Sequence, residues 1–425
     1  MIRHAVLKYA VYSFLLLPTL VWAESPQPNA DINTRYTLSE ILDLGEQRNP
    51  SLATFLANIQ VAQGEARSAR AYPNPNALMQ VGRGEPRGSD VGALSSGAEY
   101  QATVIQPLEW PLKRQWRIQA ATARVDVAQL DSEGFKLLLR AELKDSFYRV
   151  ILAGKQAELA ARNTETVAEL RRSVEVRVKT GEAAGFELVK ADVELLKAQK
   201  EVNRLRSQVE LARTSLNALL GNALSPSFTL IGEFDQPQTL PELSALLDTA
   251  LSAHPTLNRQ RREVERWRYQ LSFEKQARVP DVGLGGLSMR EIDKDAFAVV
   301  LSVPLPLWDR RQGQIATATA EGRRADAELQ RLRAEFTRAI TQEYQNYRIA
   351  ADQLAVFERG LLKQAEEALR IAQISFRQGA SGLLDLLDAQ RVQRITLQEY
   401  AEARYQLSVA RAQLERVTGR LDLVP

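Results

Sequence analysis

Two long stretches without proline set the main constraint on how this 425-residue chain can fold. Residues 112–225 and 307–424 contain no proline, are rich in Ala, Leu, Arg, Glu and Gln, and place apolar residues at helical spacing. Each stretch is interrupted once by a glycine-containing turn, at 181–185 and at 379–382. The pattern predicts pairs of very long helices. One of them, over about residues 112–178, would be roughly 100 Å long, and such helices usually pack as coiled coils or helical barrels.

An internal repeat runs through the chain. Three segments of the first half return in the second half: TLSEILDLGEQRNPSL at 37–52 as TLPELSALLDTALSAHPTL at 239–257, QPLEWPLKRQWRI at 106–118 as VPLPLWDRRQGQI at 303–315, and GEAAGFELVKAD at 181–192 as GASGLLDLLDAQ at 379–390. The pattern predicts a first structural repeat over 37–238 and a second over 239–425. Each would contain a helix, a β-hairpin, a long helix and a returning helix. Eight extra residues in the first repeat are assigned to a surface loop within 83–97.

Alternation with a period of two marks the predicted hairpins. The alternating apolar residues are Tyr100, Ala102 and Val104 in the first hairpin and Phe297, Val299, Leu301 and Val303 in the second. This alternation suits strands that face lipid on one side and a lumen on the other, and it suits two hairpins on a soluble domain equally well. Four strands cannot close a membrane barrel, for which about 8 is the minimum. If these strands lie in a membrane, several chains must share one barrel, because open edges in lipid leave backbone groups unpaired.

The first residues have the pattern of a secretory signal. Arg3 and Lys8 precede a short apolar run, and Ala23 stands at the expected cleavage point. We therefore predict a signal peptide over 1–23, an N-terminal linker over 24–36 and an exported mature protein. The chain has no cysteine, and hence no thiol for a disulfide or for lipid attachment.

Charge and composition argue against several classes of function. The 55 Lys and Arg residues nearly balance the 52 Asp and Glu residues, and both signs are mixed along the helices, so we predict no nucleic-acid partner. Beyond the predicted signal peptide the one histidine is His254, whose position before Pro255 favours a structural role at a helix start. We find neither a phosphate loop nor a nucleophile–base set. We predict no enzymatic activity, no cofactor and no dedicated metal site.

The repeat order, the hairpins and the turns together resemble the outer-membrane factors of the TolC family over the whole mature sequence. The motifs QPLEW…KR…R at 106–117 and PLPLWDRRQG at 304–313 resemble the heavy-metal cation-efflux (CzcC-type) branch. The resemblance implies a mainly α fold with a small β part: a long α-helical barrel in the periplasm plus a 12-stranded membrane β-barrel shared by three chains. The implied partners of this homotrimer are a periplasmic adaptor (membrane-fusion) protein, an inner-membrane RND-type pump and outer-membrane lipid.

The resemblance also assigns roles to the two turns. The implied adaptor-docking tips of the helical barrel are Gly181, Glu182, Ala183, Gly379, Ala380 and Ser381. Asp385 and Asp388, which follow the second turn, match the acidic constriction of the family's periplasmic gate. Residues at i and i+3 share a helix face, so three chains would direct six carboxylates at one axis and attract a cation. The first repeat has Glu187 and Lys190 at the same places, so a selectivity ring would come from the second repeat.

Two questions stay open at this point. Asp385 and Asp388 lie in the first turns of a helix, where carboxylates complement the helix dipole without any further role. For the whole protein, the leading hypothesis is the outer-membrane exit duct of a tripartite efflux system, passively conducting heavy-metal cations. The alternatives are a duct of the same fold for drugs or polypeptides, and a soluble periplasmic coiled-coil scaffold.

Overall fold

The architecture comes from a computed structural model that describes residues 35–84, 97–292 and 294–420. The predicted signal peptide, most of the linker and most of the predicted insertion lie outside these residues. The helices of the described part are α1 (Leu38–Arg48), α2 (Pro50–Arg70), α3 (Pro111–Lys179), α4 (Gly185–Leu219), α5 (Leu243–Ala253), α6 (Pro255–Gln276), α7 (Gln312–Val356), α8 (Leu362–Arg377) and α9 (Leu383–Thr418). The strands are β1 (Arg35–Tyr36), β2 (Asn76–Gly84), β3 (Gly97–Leu108), β4 (Thr229–Leu230), β5 (Val282–Arg290) and β6 (Asp295–Ser302). The prediction of a mainly α fold with a small β part is therefore confirmed, whereas the division of the chain at 238/239 stays a prediction.

Helix α3 is the longest element, and each of its ends lies one residue beyond the predicted bounds. It has 69 residues, which corresponds to about 100 Å. Pro111 suits its first turn because a residue there needs no intrahelical N–H bond, and Lys179 in the last turn complements the negative end of the helix dipole. The helix packs against α2, α4, α6 and α9 and so connects both halves of the chain. None of the helices in the described ranges combines the length and the apolar character that a membrane crossing requires.

A π-helical turn, Phe357–Leu361, separates α7 from α8. Within it Gly360 has a φ of 154°, a backbone conformation that residues with a side chain rarely adopt. The second proline-free stretch is therefore interrupted twice, where the sequence predicted one interruption. The physical reason is that a lone glycine in a helical pattern can continue a helix or break it, and the pattern alone does not distinguish the two outcomes.

The four longer strands form one antiparallel sheet in the order β2-β3-β5-β6. The two predicted hairpins are thus neighbours, joined through β3 and β5, and the short strands β1 and β4 pair separately. The register places one set of mainly apolar residues on the same face: Ala77, Met79, Val81, Tyr100, Ala102, Val104, Leu284, Phe297, Val299 and Leu301. The opposite face carries more polar and small residues, including Gln80, Gln101, Thr103, Ala298 and Ser302. Alternation in the sequence therefore becomes a two-faced sheet with open edges at β2 and β6.

The segment 231–242, which has no regular structure, ties the two halves of the chain together. The backbone N–H of Asp235 donates to Ser408 Oγ of α9 at 2.9 Å. The Tyr347 hydroxyl of α7 accepts from the N–H of Gln238 at 2.8 Å and donates to its carbonyl at 3.0 Å. These bonds fix the segment across α7 and α9.

Buried charges join α3 to α9 next to this segment. Lys144 of α3 forms an ion pair with Glu415 of α9, a residue only 4% exposed. Glu415 also accepts from Arg411 at 3.1 Å, and Arg411 lies 3.5 Å from Asp235. Burial, together with the adjacent Asp235 carboxylate, raises the pKa of the Tyr148 hydroxyl, which bonds to Asp235. Because buried charges are tolerated when they are paired, this cluster fixes the position of α9 along α3.

Matching caps close the start of α2 and of α6. Asn49 caps α2, and its side-chain amide donates to the carbonyl of Leu219 at 2.8 Å. His254 caps α6 by accepting from the N–H of Thr256 at Nδ1, which leaves Nε2 to donate to the carbonyl of Arg416 at 3.1 Å. Burial lowers the pKa of His254 and so favours this neutral ring. The histidine therefore has the helix-start role that its position before a proline indicated.

Candidate functional site

The two glycine turns end their helices in the same way. Gly181 and Gly379 have φ values of 78° and 71°, in the left-handed region. The next residue in each turn, Glu182 or Ala380, donates its N–H to the carbonyl five positions earlier, at 2.8 Å and 2.9 Å respectively. This is the closure of a Schellman motif, which satisfies a carbonyl at the helix end. Both turns reverse the chain sharply, so that α4 returns along α3 and α9 returns along α8.

The structure brings the two turns together at one end of the molecule. The Arg177 guanidinium lies 4.8 Å from the centre of the Phe376 ring, and its Nη1 atom donates to the Phe376 carbonyl at 3.4 Å. Beneath the turns a buried cluster joins α3, α4, α8 and α9: Leu170, Val174, Ala191, Leu369, Phe376, Leu383 and Leu386. The predicted tips are thus neighbouring corners of one four-helix bundle. They lie at the end of α3 remote from the sheet, because α3 begins just after β3 and ends at the first turn.

The predicted tip residues differ in exposure. Glu182 and Ala380 are exposed, whereas Ala183 and Ser381 are half-buried. The Ser381 Oγ atom is buried and has no hydrogen-bond partner among the described residues. The exposed part of the first tip therefore consists of Gly181 and the Glu182 side chain, and that of the second tip consists of Gly379 and Ala380.

Asp385 stabilises the start of its own helix. Its Oδ2 atom accepts the N–H of Gly382 at 3.1 Å, and the side chain is otherwise exposed in the single chain. The helix-start role weighed from the sequence is therefore present. It does not exclude an electrostatic role, because this bond uses one carboxylate oxygen and leaves the charge in place.

Asp388 lies one turn further along α9 in a setting of mixed charge. Its Oδ1 atom accepts from Arg391 at 2.5 Å, and the two side chains are 61% and 62% exposed. Pairs this exposed contribute little to stability, about 0–1 kcal/mol. Asp388 also lines a groove between α4 and α9 together with Glu194, Lys197 and Arg394. The ion pair with Arg391 was not predicted from the sequence, although residues three positions apart on a helix are neighbours and Arg391 stands three residues after Asp388.

The acidic pair stands apart from any larger cluster of potential metal ligands among the described residues. In the ranges that the structure describes, no three His, Asp or Glu side chains converge as ligands. Asp385 and Asp388 share the exposed side of the first turns of α9, next to the tips. Such an arrangement can act on ions through charge alone, which needs no fixed coordination.

Known proteins are similar to this chain in sequence. The sequence pattern of the family described as outer membrane efflux protein matches residues 41–222 and 246–420. The cobalt-zinc-cadmium resistance protein CzcC of Cupriavidus metallidurans is 28% identical over 387 residues, 90% of either chain. The nickel-cobalt-cadmium resistance protein NccC of Alcaligenes xylosoxydans xylosoxydans is 26% identical over 299 residues, 68% of this chain and 65% of that protein. These two relatives agree with the branch that the proline–tryptophan motifs indicated.

Solved structures show the same fold. The outer membrane protein VceC of Vibrio cholerae superposes with a TM-score of 0.73 at 19% identity, covering 90% of this chain and 96% of that one. Together with the family match over most of the sequence, this superposition confirms the resemblance predicted from the repeat. The chain belongs to the outer membrane efflux protein family.

Proposed function

We propose that three copies of this chain form the outer-membrane exit duct of a tripartite efflux system, which passively conducts heavy-metal cations out of the cell. The observation that carries the proposal is the open four-stranded sheet, apolar on one face, at the end of a helix about 100 Å long. A sheet with two unpaired edges suits a membrane only if further copies close it into a barrel. Twelve strands from three chains lie within the range of known membrane barrels, from about 8 strands upward.

The helical part also has a surface that suits a neighbouring copy. Along α4, Phe186, Val189, Val193 and Leu196 are 65%, 57%, 44% and 65% exposed in the single chain. Their spacing of three and four residues is the a/d pattern by which long helices pack side by side. In the proposed trimer this seam lies against the next copy, so that the helices close into a barrel that continues the lumen of the sheet.

The proposed substrate rests on charge and on the relatives. Asp385 and Asp388 of three copies would surround the axis near the tips and raise the local concentration of cations. The two similar proteins carry names of cobalt, zinc, cadmium and nickel resistance. The exposed tips suit docking of a periplasmic adaptor, and an inner-membrane RND-type pump would supply the energy. The pump would then select the metal, because the duct offers only the negative charge of carboxylate oxygens.

Deletion of the gene tests this function. We expect the deletion strain to become more sensitive to at least one of zinc, cobalt, cadmium and nickel, and to recover when the intact gene is restored. Growth over a concentration series of each metal and of several drugs is the measurement. Sensitivity to drugs without any change toward metals would contradict the proposed substrate and favour the drug-duct alternative.

A further inference from the structure

We infer the register in which neighbouring copies pair: β6 residues 297–305 lie antiparallel to residues 75–83 of the next copy, with Leu301 opposite Met79. The inference rests on the proposed shared barrel and goes beyond it, because a barrel of the same size could close with the strands shifted. It assigns a partner residue to each position along an edge that is open in the single chain.

The edges of the sheet show that another strand belongs there. The large apolar side chains of the two edge strands are strongly exposed: Met79 at 70%, Val81 at 72%, Phe297 at 78%, Val299 at 74% and Leu301 at 69%. Leu284, on the same face of the interior strand β5, is 48% exposed. An edge strand with a long apolar face and unpaired backbone groups is a template for pairing with another chain.

The contact between β3 and β5 is the template for this pairing. It joins the second strand of one hairpin to the first strand of the next hairpin. In the predicted repeat, β6 corresponds to β3 and β2 corresponds to β5. The contact from β6 of one copy to β2 of the next is therefore the counterpart of a contact that the chain already makes once within itself.

Prolines give one offset between β3 and β6 and two possible offsets between β2 and β5. Pro107 and Pro304 are equivalent and stand 197 positions apart. Pro280 precedes β5 and stands 207 positions after Pro73 and 205 positions after Pro75, both of which precede β2.

The observed hairpins decide between the two possible offsets once the offset of 197 is given. In the first hairpin Asn76 lies opposite Ile105. Moved by 207 and 197 positions, this pair becomes Gly283 opposite Ser302, which is the pair found in the second hairpin. An offset of 205 would instead place Asp281 opposite Ser302, so the hairpin registers select 207 and align Pro73 with Pro280. The offsets of 207 and 197 place ten extra residues between β2 and β3, where the sequence predicted eight.

The same offsets convert the interior contact into the contact between copies. Val104 lies opposite Gly286 in the sheet. Val104 corresponds to Leu301, and Gly286 corresponds to Met79 of the next copy. The β3–β5 ladder pairs Tyr100–Leu108 with Val282–Arg290. The same offsets convert it into a ladder that pairs residues 297–305 with residues 75–83 of the next copy.

The inferred register matches side chains on both faces. On the apolar face, Leu301 lies opposite Met79 and Val299 lies opposite Val81. In each pair, the two strongly exposed side chains cover one another. A shift of one residue would turn the apolar set of one strand to the opposite face of the sheet. The register also extends β6 beyond Ser302 to Leu305, which is 72% exposed in the single chain and becomes paired on assembly.

Disulfide cross-linking tests the register, and the chain suits this method because it contains no cysteine. The first variant carries Leu301→Cys and Met79→Cys. The second carries Ser302→Cys and Leu78→Cys, on the opposite face, so that the two variants sample both the wide and the narrow kind of antiparallel pair. After mild oxidation in isolated outer membranes, we expect covalent trimers on a non-reducing denaturing gel from at least one of them.

Shifted pairs are the matched controls. Leu301→Cys combined with Val81→Cys or with Ala77→Cys keeps the same face but moves the partner by two residues. Cβ atoms at such diagonal positions are too far apart for a disulfide, so we expect roughly tenfold less cross-linked product. Met79→Cys with Ala102→Cys, which lie opposite each other within one chain, should oxidise without producing a larger species.

The outcomes separate the register from the proposed function. Preferential cross-linking of a shifted pair, or no cross-linking in particles that contain three chains, would overturn the register and leave the duct intact. No cross-linking in particles that contain one chain would overturn both. Covalent trimers from an inferred pair, with little product from the shifted pairs, would establish the register.

Discussion

The double substitution Asp385→Asn and Asp388→Asn should lower the preference of the channel for cations over anions several-fold. Three copies would lose six negative charges around the narrowest part of the proposed lumen, and the local excess of cations would fall accordingly. Conductance and reversal potential of single channels in a planar lipid bilayer, recorded with unequal salt on the two sides, measure this preference.

Asparagine separates charge from structure in this experiment. At position 385 its side-chain oxygen still accepts the N–H of Gly382, so the start of α9 is retained while the charge is removed. Glu187→Gln in the first repeat is the matched control and should leave the preference nearly unchanged. An unchanged reversal potential in the double variant would leave Asp385 as a helix cap and Asp388 as a surface ion pair, without a gate function.

Arg391 refines the expectation for the two aspartates. It pairs with Asp388 and not with Asp385, so part of the negative charge at Asp388 is already offset. The single change Asp385→Asn should therefore shift the preference more than Asp388→Asn does. Equal shifts from the two single variants would show that Arg391 points away from Asp388 in the assembled channel.

The substitution Lys144→Met should lower the free energy of unfolding by about 3 kcal/mol. This value is at the lower end of the effect of breaking a buried ion pair, because Arg411 continues to pair with Glu415. In the variant, the Glu415 carboxylate, which belongs to a residue only 4% exposed, has one cationic partner instead of two. Circular dichroism at 222 nm during denaturant unfolding in mild detergent gives the free energy of unfolding.

Two further variants make this result specific. Lys144→Met combined with Glu415→Leu removes both charges and should recover much of the loss, since an apolar pair can replace a buried ion pair. Lys155→Met breaks an exposed pair, 59% and 42% accessible, and should change stability by less than about 1 kcal/mol. Equal losses from Lys144→Met and Lys155→Met would contradict a structural role for the buried cluster.

The sequence predicts the elements that local rules define. The bounds of α3 follow from Pro111 and from the glycine turn after Lys179, because proline and glycine restrict the backbone wherever they stand. The two hairpins follow from alternation that continues over several residues. The acidic pair beside the second turn stands out in the repeated motif, whereas its proposed gate role was implied by the family resemblance.

The missed features depend on contacts between distant parts of the chain. Lys144 and Glu415 are 271 positions apart, and nothing in either helix identifies the other as its partner. The same holds for Arg177 on Phe376, which joins the two tips. The π-helical turn at Gly360 was missed for a different reason, because neighbouring helices decide whether a glycine breaks a helix. Distant pairing is set by the whole fold, so only the structure shows it.

The central claim is that three chains share one membrane channel, and the mass of the particle tests it most directly. The mature protein would be extracted from outer membranes in mild detergent and its protein mass determined by light scattering. We predict three chains per particle, with precipitation when detergent is removed, because the apolar face of the sheet then meets water. A stable monomer or dimer without detergent would contradict the shared barrel, and with it the channel.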